Sequence, residues 1–303
     1  MDDPTFTAQY GPWALITGAA QGMGAGFAHA LAARGLNVML VDVQAEKLAA
    51  TAADIRATHA APQSPGGKAA RSGYGVGDGV GVGAGVGVGA VEVETLVADL
   101  SISDGVARVF EQVGYREVGL LVNNAARAPI GHFFEQPLDD LKEVVQTNCG
   151  AVVELTHRFG RAMLERGRGG IILLSSWSAY GGAPLVATYA ASKAFNLILG
   201  ESLWVELKQG GVDVLAVAPG PTDTPNFRCS DPDLNTLSGK LMMDVEQVVE
   251  EALTNLGGVP SLIPGRLNRV LSFVQSRFLS RRRNLELFAR SMRALYRKRK
   301  SHG

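Results

Sequence analysis

Ser175-Ser-Trp-Ser-Ala-Tyr-Gly-Gly-Ala-Pro-Leu-Val-Ala-Thr-Tyr189-Ala-Ala-Ser-Lys193 is the stretch that decides how this chain reads. It begins where an apolar run, residues 171–174, ends, and that run has the character of a buried strand. It closes inside an Ala-rich segment of helical character. Tyr189 and Lys193 are four residues apart, so on a helix they project from one face, one turn from each other. Ser176 lies thirteen residues before Tyr189, at the strand end, where a hydroxyl can meet that helix. Phenol, ammonium and hydroxyl form a proton-transfer set. A free Tyr has a pKa of about 10, and a neighbouring positive charge is expected to favour the phenolate and lower it.

Outward from there, the start of the chain carries a second pattern. Trp13–Thr17 reads as a strand, Gly18-Ala-Ala-Gln21-Gly22-Met23-Gly24 follows, and residues 27–34 read as a helix stopped by Gly35. Strand, glycine turn and helix in that order make a phosphate cradle. Glycines let the backbone approach a pyrophosphate, and the helix N-terminus offers unpaired N–H groups and a positive dipole end. The next strand, Asn37–Asp42, ends on an acid placed to accept from both ribose hydroxyls of an adenosine. That carboxylate would repel a 2′-phosphate, and Val43 and Gln44 follow it rather than a base. NAD is therefore expected over NADP.

Thr-Gly-x-x-x-Gly-x-Gly near the start and Tyr-x-x-x-Lys with its upstream Ser resemble the short-chain dehydrogenase/reductase family, single-domain type. The resemblance runs over about residues 12–265, apart from one insertion. It implies an α/β fold, a doubly wound and mostly parallel Rossmann-like sheet of about seven strands with helices on both faces. It also implies cofactor contacts from Thr17, Gly18, Gln21, Gly22, Met23 and Gly24, with Gln21 standing where NADP-binding members often carry a base. Asp99 and Leu100 are similar to the family's adenine-side segment. Asn123-Asn124-Ala125-Ala126 matches its Asn-Asn-Ala-Gly, with Ala126 in place of the final Gly, so that Asn124 and Ala125 line the ribose. Asn148 corresponds to the helix Asn whose carbonyl holds a water near the catalytic Lys. Pro219, Gly220, Thr222 and Thr224 resemble the turn that meets the nicotinamide.

The catalytic set implied is Asn148, Ser176, Tyr189 and Lys193. Tyr189 is the acid/base, Ser176 holds the substrate oxygen, and Lys193 lowers the Tyr pKa and binds the nicotinamide ribose. Residues 225–243, which cover the substrate in the family, include Phe227, Leu234, Leu237, Leu241 and Met242. They suggest an apolar secondary alcohol or ketone, steroid-like or fatty, or alternatively a docking flap. Two other functions compete: an NADPH-dependent acyl-thioester ketoreductase and a nucleotide-sensing protein without turnover. A sensor needs only the loop and the acid, so Ser176, Tyr189, Lys193 and Asn148 together favour an enzyme. The resemblance further implies a homodimer or homotetramer.

The rest of the chain supplies alternating strand-like and helix-like segments, which favour one large domain over residues 1–265. A single long helix is expected over residues 138–166. Residues 62–90 break the composition with a Gly-Val repeat, read as a disordered or loosely extended insertion at the face opposite the ligand. Two cysteines, Cys149 and Cys229, suit a reducing compartment, and no His/Cys/acid spacing suggests a metal. The acidic start lacks an apolar core and no run is long enough to span a bilayer, so a cytoplasmic protein is expected.

A net charge of zero hides a split. Residues 266–303 hold twelve Lys or Arg against one acid, Glu286. Leu267, Val270, Leu271, Val274 and Phe278 recur at helical spacing there, as do Leu285, Phe288, Met292 and Leu295. This extension reads as two helices packed on the domain or a second subunit with a solvated basic face, or as a peripheral membrane contact. Nucleic-acid binding is disfavoured, since no stacking platform accompanies the charge.

Overall fold

The computed structural model describes residues 4–59 and 90–296. The Gly-Val segment, residues 62–89, and the last four bases, Arg297 to Lys300, lie outside the described residues. Seven strands, β1 Trp13–Thr17, β2 Asn37–Asp42, β3 Val93–Val97, β4 Val118–Asn123, β5 Gly169–Leu174, β6 Val212–Val217 and β7 Ser261–Leu262, form one sheet. Their order is β3-β2-β1-β4-β5-β6-β7, and every pairing is parallel. The expected doubly wound architecture is present.

Strands β1, β4 and β5 are buried at every residue. That is why they read as continuous apolar runs rather than alternating ones: helices cover both faces of a parallel sheet. Adjacent residues still part company. Ile16, Leu40 and Ile172 pack on one face with Phe27, Leu31 and Val248. Leu15, Met39 and Ile171 pack on the other with Val109, Leu155 and Phe159. The edge strand β3 alternates, as an element half open to solvent must.

The helices are α1 Pro4–Tyr10, α2 Gly22–Ala32, α3 Ala45–Thr58, α4 Ser103–Val113, α5 Leu138–Val145, α6 Ala151–Arg166, α7 Ala187–Leu207, α8 Pro225–Cys229, α9 Leu237–Lys240, α10 Val245–Asn255, α11 Arg266–Phe278 and α12 Arg281–Leu295. Several differ from expectation, the unforeseen α8 and α9 among them. The single helix expected over 138–166 is interrupted between α5 and α6 by a π-helical turn, Gln146–Gly150. Its i→i+5 bond runs from the Ala151 amide to the Gln146 carbonyl. The turn carries Asn148, whose side chain leaves the helix to bond another segment. The short helix α1 was not foreseen. Its Tyr10 is buried and donates to Asp213 Oδ2 at 2.7 Å, and burial with that carboxylate pushes the phenol's pKa up.

Residues 266–303 were set apart as an extension, and their described part packs on the domain. In α12 the apolar residues Phe288 and Met292 join a small cluster with Ala183, Val186 and Ala190. In α11 the order is reversed. Asn268 and Ser272 are buried, while Leu267, Val270, Phe273, Val274 and Phe278 are exposed. The helical spacing was legible, and the face it presents to the domain was not.

Candidate active site

The C-terminal ends of the strands share one rim, and a cavity of about 900 Å³ opens there. It is bounded by Gly18, Gln21, Gly22 and Met23 from the glycine loop, by Asp42, Asp99, Leu100, Asn124 and Ala125, and by Ser176, Tyr189 and Lys193. Pro219, Gly220, Thr222 and Thr224 close its far wall. Three residues expected at the site, Thr17, Gly24 and Asn148, are not among those that line it.

The loop is fixed by contacts only glycine permits. Gly18 sits at φ +66°, and a Cβ there would lie 2.8 Å from Ala125 Cα. A Cβ on Gly24 would meet the Gly18 carbonyl oxygen at 2.0 Å. Thr17 Oγ1 accepts from the amides of Asn124 and Ala125, each at 3.0 Å, which ties β1 to the end of β4. Asn124 Nδ2 donates to the carbonyls of Thr17 and Gly18 at 2.9 and 3.0 Å. Backbone left bare in this way, ahead of the N-terminus of α2, suits a pyrophosphate. Ala126, the departure from the family's Gly, is exposed at the cavity rim.

Asp42 is buried to 8% exposure. Its Oδ2 accepts from the Ala20 amide at 3.0 Å and its Oδ1 from the Gln44 amide at 2.9 Å. Lys47, on the first turn of α3, was missed in the sequence. Its Nζ donates to Gln21 Oε1 at 3.1 Å and to Gln44 Oε1 at 2.8 Å, so a cation stands beside the two glutamines at this end. At Asp99, hydrogen bonds from the Ser101 hydroxyl and amide hold the carboxyl below its ordinary range.

At the other end, Lys193 is 3% exposed. Its Nζ donates to the Leu174 carbonyl at 2.7 Å and lies 5.6 Å from the Tyr189 ring centre. Burial lowers its pKa to about 8. Burial also raises the Tyr189 phenol, a hydrogen bond from Ser176 pulls it down, and the nearby Tyr296 raises it further. The direction is opposite to the one expected from the Tyr–Lys spacing, because desolvation of the phenolate outweighs the ammonium, which bonds a carbonyl instead. Ser175 Oγ donates to the Lys193 carbonyl at 2.7 Å and so fastens α7 to the end of β5. Asn148, fully buried, accepts from the Arg127 amide at 2.9 Å and donates to its carbonyl at 3.0 Å and to Ser192 Oγ at 2.9 Å. It positions the loop at the cavity edge with its side chain.

The second half of the cavity is lined mainly by apolar side chains, with Ser238, Gln275 and Ser291 among them, and comes partly from the extension. Leu237 and Leu241, expected to cover the substrate, line it with Leu287, Phe288, Met292 and Leu295. Phe288 meets Trp177 edge to face at 6.3 Å between ring centres. Ser238 and Ser291 hydroxyls bond at 2.8 Å, and the Asp233 amide donates to the Leu295 carbonyl at 2.7 Å. Tyr296 is 7% exposed and lines the same space. Helical spacing marked Phe288, Met292 and Leu295 in the sequence, but nothing in it brings them to a cavity shared with Tyr189, about a hundred positions away. Among the described residues, no three His, Cys, Asp or Glu side chains gather as a metal site would require.

A family model described as short chain dehydrogenase matches residues 12–64 and 84–235, including the glycine loop and the Ser-Tyr-Lys set. The chain belongs to the short-chain dehydrogenases. This short-chain dehydrogenase is 28% identical over 269 residues to the 7beta-hydroxysteroid dehydrogenase of Collinsella aerofaciens, covering 86% of this chain and 89% of that one. It is 32% identical over 219 residues to the inactive hydroxysteroid dehydrogenase-like protein 1 of Mus musculus, covering 71% of this chain and 57% of that one. A solved structure of a 7beta-hydroxysteroid dehydrogenase superposes with a TM-score of 0.80 at 25% identity, over 93% of this chain and 98% of that one. A short-chain dehydrogenase from Sphingobium yanoikuyae in complex with NADPH gives 0.68 at 26% identity, over 88% and 93%.

Proposed function

We propose that this short-chain dehydrogenase interconverts a bulky apolar secondary alcohol of hydroxysteroid shape and its ketone, with NAD preferred over NADP. The observation that carries the reading is one cavity shared by Ser176, Tyr189 and Lys193 at one end and by Leu241, Phe288, Met292 and Leu295 at the other. A rigid polycyclic skeleton fills such a mainly apolar space while its reacting oxygen meets Ser176 and Tyr189. The resemblance to 7beta-hydroxysteroid dehydrogenases over nearly the whole chain supports the same class.

A nicotinamide cofactor held by the glycine loop, Asp42 and Lys193 would supply hydride acceptance and donation at the carbinol carbon. Tyr189 takes the alcohol proton during oxidation and returns it to the carbonyl oxygen during reduction. Ser176 donates to that oxygen and holds it at about 3 Å from the phenol. Lys193, placed one turn from Tyr189, supports the charge on the phenolate once substrate excludes water. Asn148 acts through Arg127 and Ser192 by holding the cavity edge.

Asp42 supports NAD, since a carboxylate at the end of β2 would repel the 2′-phosphate of a cofactor held by the glycine loop. Lys47 opposes that preference, and a structural relative binds NADPH, so the two charges are weighed by experiment. Asp42→Ser is expected to weaken NAD and strengthen NADP by about tenfold each, read as kcat/KM with both cofactors. Wild-type enzyme that already favours NADP overturns the preference.

A non-catalytic reading is favoured by one observation, the likeness to a relative named as inactive. Assay of a hydroxysteroid and oxosteroid panel, followed by nicotinamide absorbance, separates the two. Tyr189→Phe keeps the ring and loses the proton, so kcat should fall by about 10²-fold or more with cofactor binding retained. Wild-type protein that binds cofactor and turns over nothing in the panel supports the sensor. The family's oligomeric habit and the apolar residues exposed on α7, such as Ile198 and Val205, support a homo-oligomer.

A further inference from the structure

Helix α11 is folded with its amphipathic character inverted. Its polar residues Asn268 and Ser272 are buried, and Asn268 Nδ2 donates to the Pro264 carbonyl at 3.2 Å. Leu267, Val270, Val274 and Phe278 recur three or four residues apart and form one outward stripe, with exposures of 60, 58, 43 and 74%. Phe273 adds a second exposed aromatic at 60%. An isolated exposed Leu needs no explanation, but a continuous stripe along a whole helix marks a surface made to be covered.

The charges beside the stripe indicate what covers it. Arg266 and Arg277 sit on its flank about three turns apart. Arg281 and Arg283 follow at the start of α12, all four exposed. Among the described residues none of these four is in an ion pair, whereas Arg269 on the inner side is bonded to Glu251 and Arg282 to Glu286. A second copy of this face meeting the first would bring these guanidinium groups together at like charge. An anionic lipid surface accepts the apolar stripe between its acyl chains while the long Arg side chains reach its phosphates. Leu271 and Gln275, on the inner side of the same helix, line the cavity. The stripe and the substrate cavity are thus two sides of one element.

We propose that α11 docks this protein on an anionic lipid surface, its outward stripe inserted at the headgroup level and its flanking arginines on the lipid phosphates. The docking is independent of which alcohol the enzyme uses. It would place the cavity beside the phase in which an apolar substrate is dissolved.

The test is flotation of the full-length protein with phosphatidylcholine vesicles, with and without phosphatidylglycerol, at low and high salt. Binding is expected to anionic vesicles at low salt and to weaken as salt rises. Val274→Glu with Phe278→Glu, two exposed sites outside the cavity, should abolish flotation. Turnover of a water-soluble ketone should stay within twofold, which reports an intact fold. Arg266→Gln with Arg277→Gln should reduce the anionic-vesicle partition by about thirtyfold, since each base near such a surface contributes about fivefold. Wild-type protein that ignores anionic vesicles at low salt overturns the proposal. So does a stripe variant that still floats, or one whose only change is a smaller oligomer by analytical ultracentrifugation.

Discussion

Lys193 is held in the interior with its ammonium on the Leu174 carbonyl, and the cost of that placement can be read in its pKa of about 8. A Lys whose pKa is lowered on folding binds its proton less tightly in the native state than in the unfolded chain. Stability from this group is therefore full above the unfolded value, near 10.5, and is lost as pH falls through about 8. At neutral pH the ligand-free protein carries a burial cost of roughly 3 kcal/mol. Lys193→Met should thus raise the melting temperature of the ligand-free enzyme at about pH 7, with a net gain of about 2 kcal/mol after loss of one hydrogen bond. That gain should shrink toward about pH 10 while activity is lost throughout. Melts of both proteins across that range provide the check, and a destabilised variant at neutral pH would contradict the buried-charge account. The sequence offered Ser176, Tyr189 and Lys193 as a set through their spacing read together with the glycine loop, and the three line one cavity. The sign of the Tyr189 shift was not legible, since burial depends on what α7 and α12 lay over the phenol.

At the scale of elements, the strands declared themselves because a parallel sheet covered on both faces leaves uninterrupted apolar runs. The helix across residues 138–166 was legible as helix but not as two helices with a π turn. A single π turn shifts the helical phase by one residue, too little for this short apolar pattern to show. The clearest case is α12, whose Phe288, Met292 and Leu295 showed helical spacing without showing their destination. Phe288 packs on Trp177 and on the cluster holding Tyr189. Phe288→Ala should raise KM for a bulky apolar substrate about tenfold with kcat changed less than threefold, because the ring shapes the substrate end only. It should also cost about 1–3 kcal/mol of stability, less than a fully buried Phe, by denaturant titration. An unchanged KM would mean that α12 closes the cavity without touching its contents.

For the whole molecule, the arrangement of ends explains what can be altered safely. The cavity lies at the C-terminal rim of the sheet, while residues 60–89 join the end of α3 to the N-terminal end of the edge strand β3. Replacing residues 64–88 with a short Gly-Ser link should leave kcat/KM within a few-fold, as loop length alone costs little. Loss of folding or of activity in the shortened protein would show that the segment packs on the domain. The sequence alone determined the α/β order, the glycine loop, the acid that ends β2 and the Ser-Tyr-Lys spacing, because each is set by contacts within a few residues or by one element's periodicity. Only the tertiary structure decided that Lys47 stands with Gln21 and Gln44, that Asn148 holds Arg127, that α12 walls the cavity and that α11 turns its apolar side outward. Those are choices between faces of elements far apart in the chain, and a face is selected by what packs against it, which no local pattern encodes.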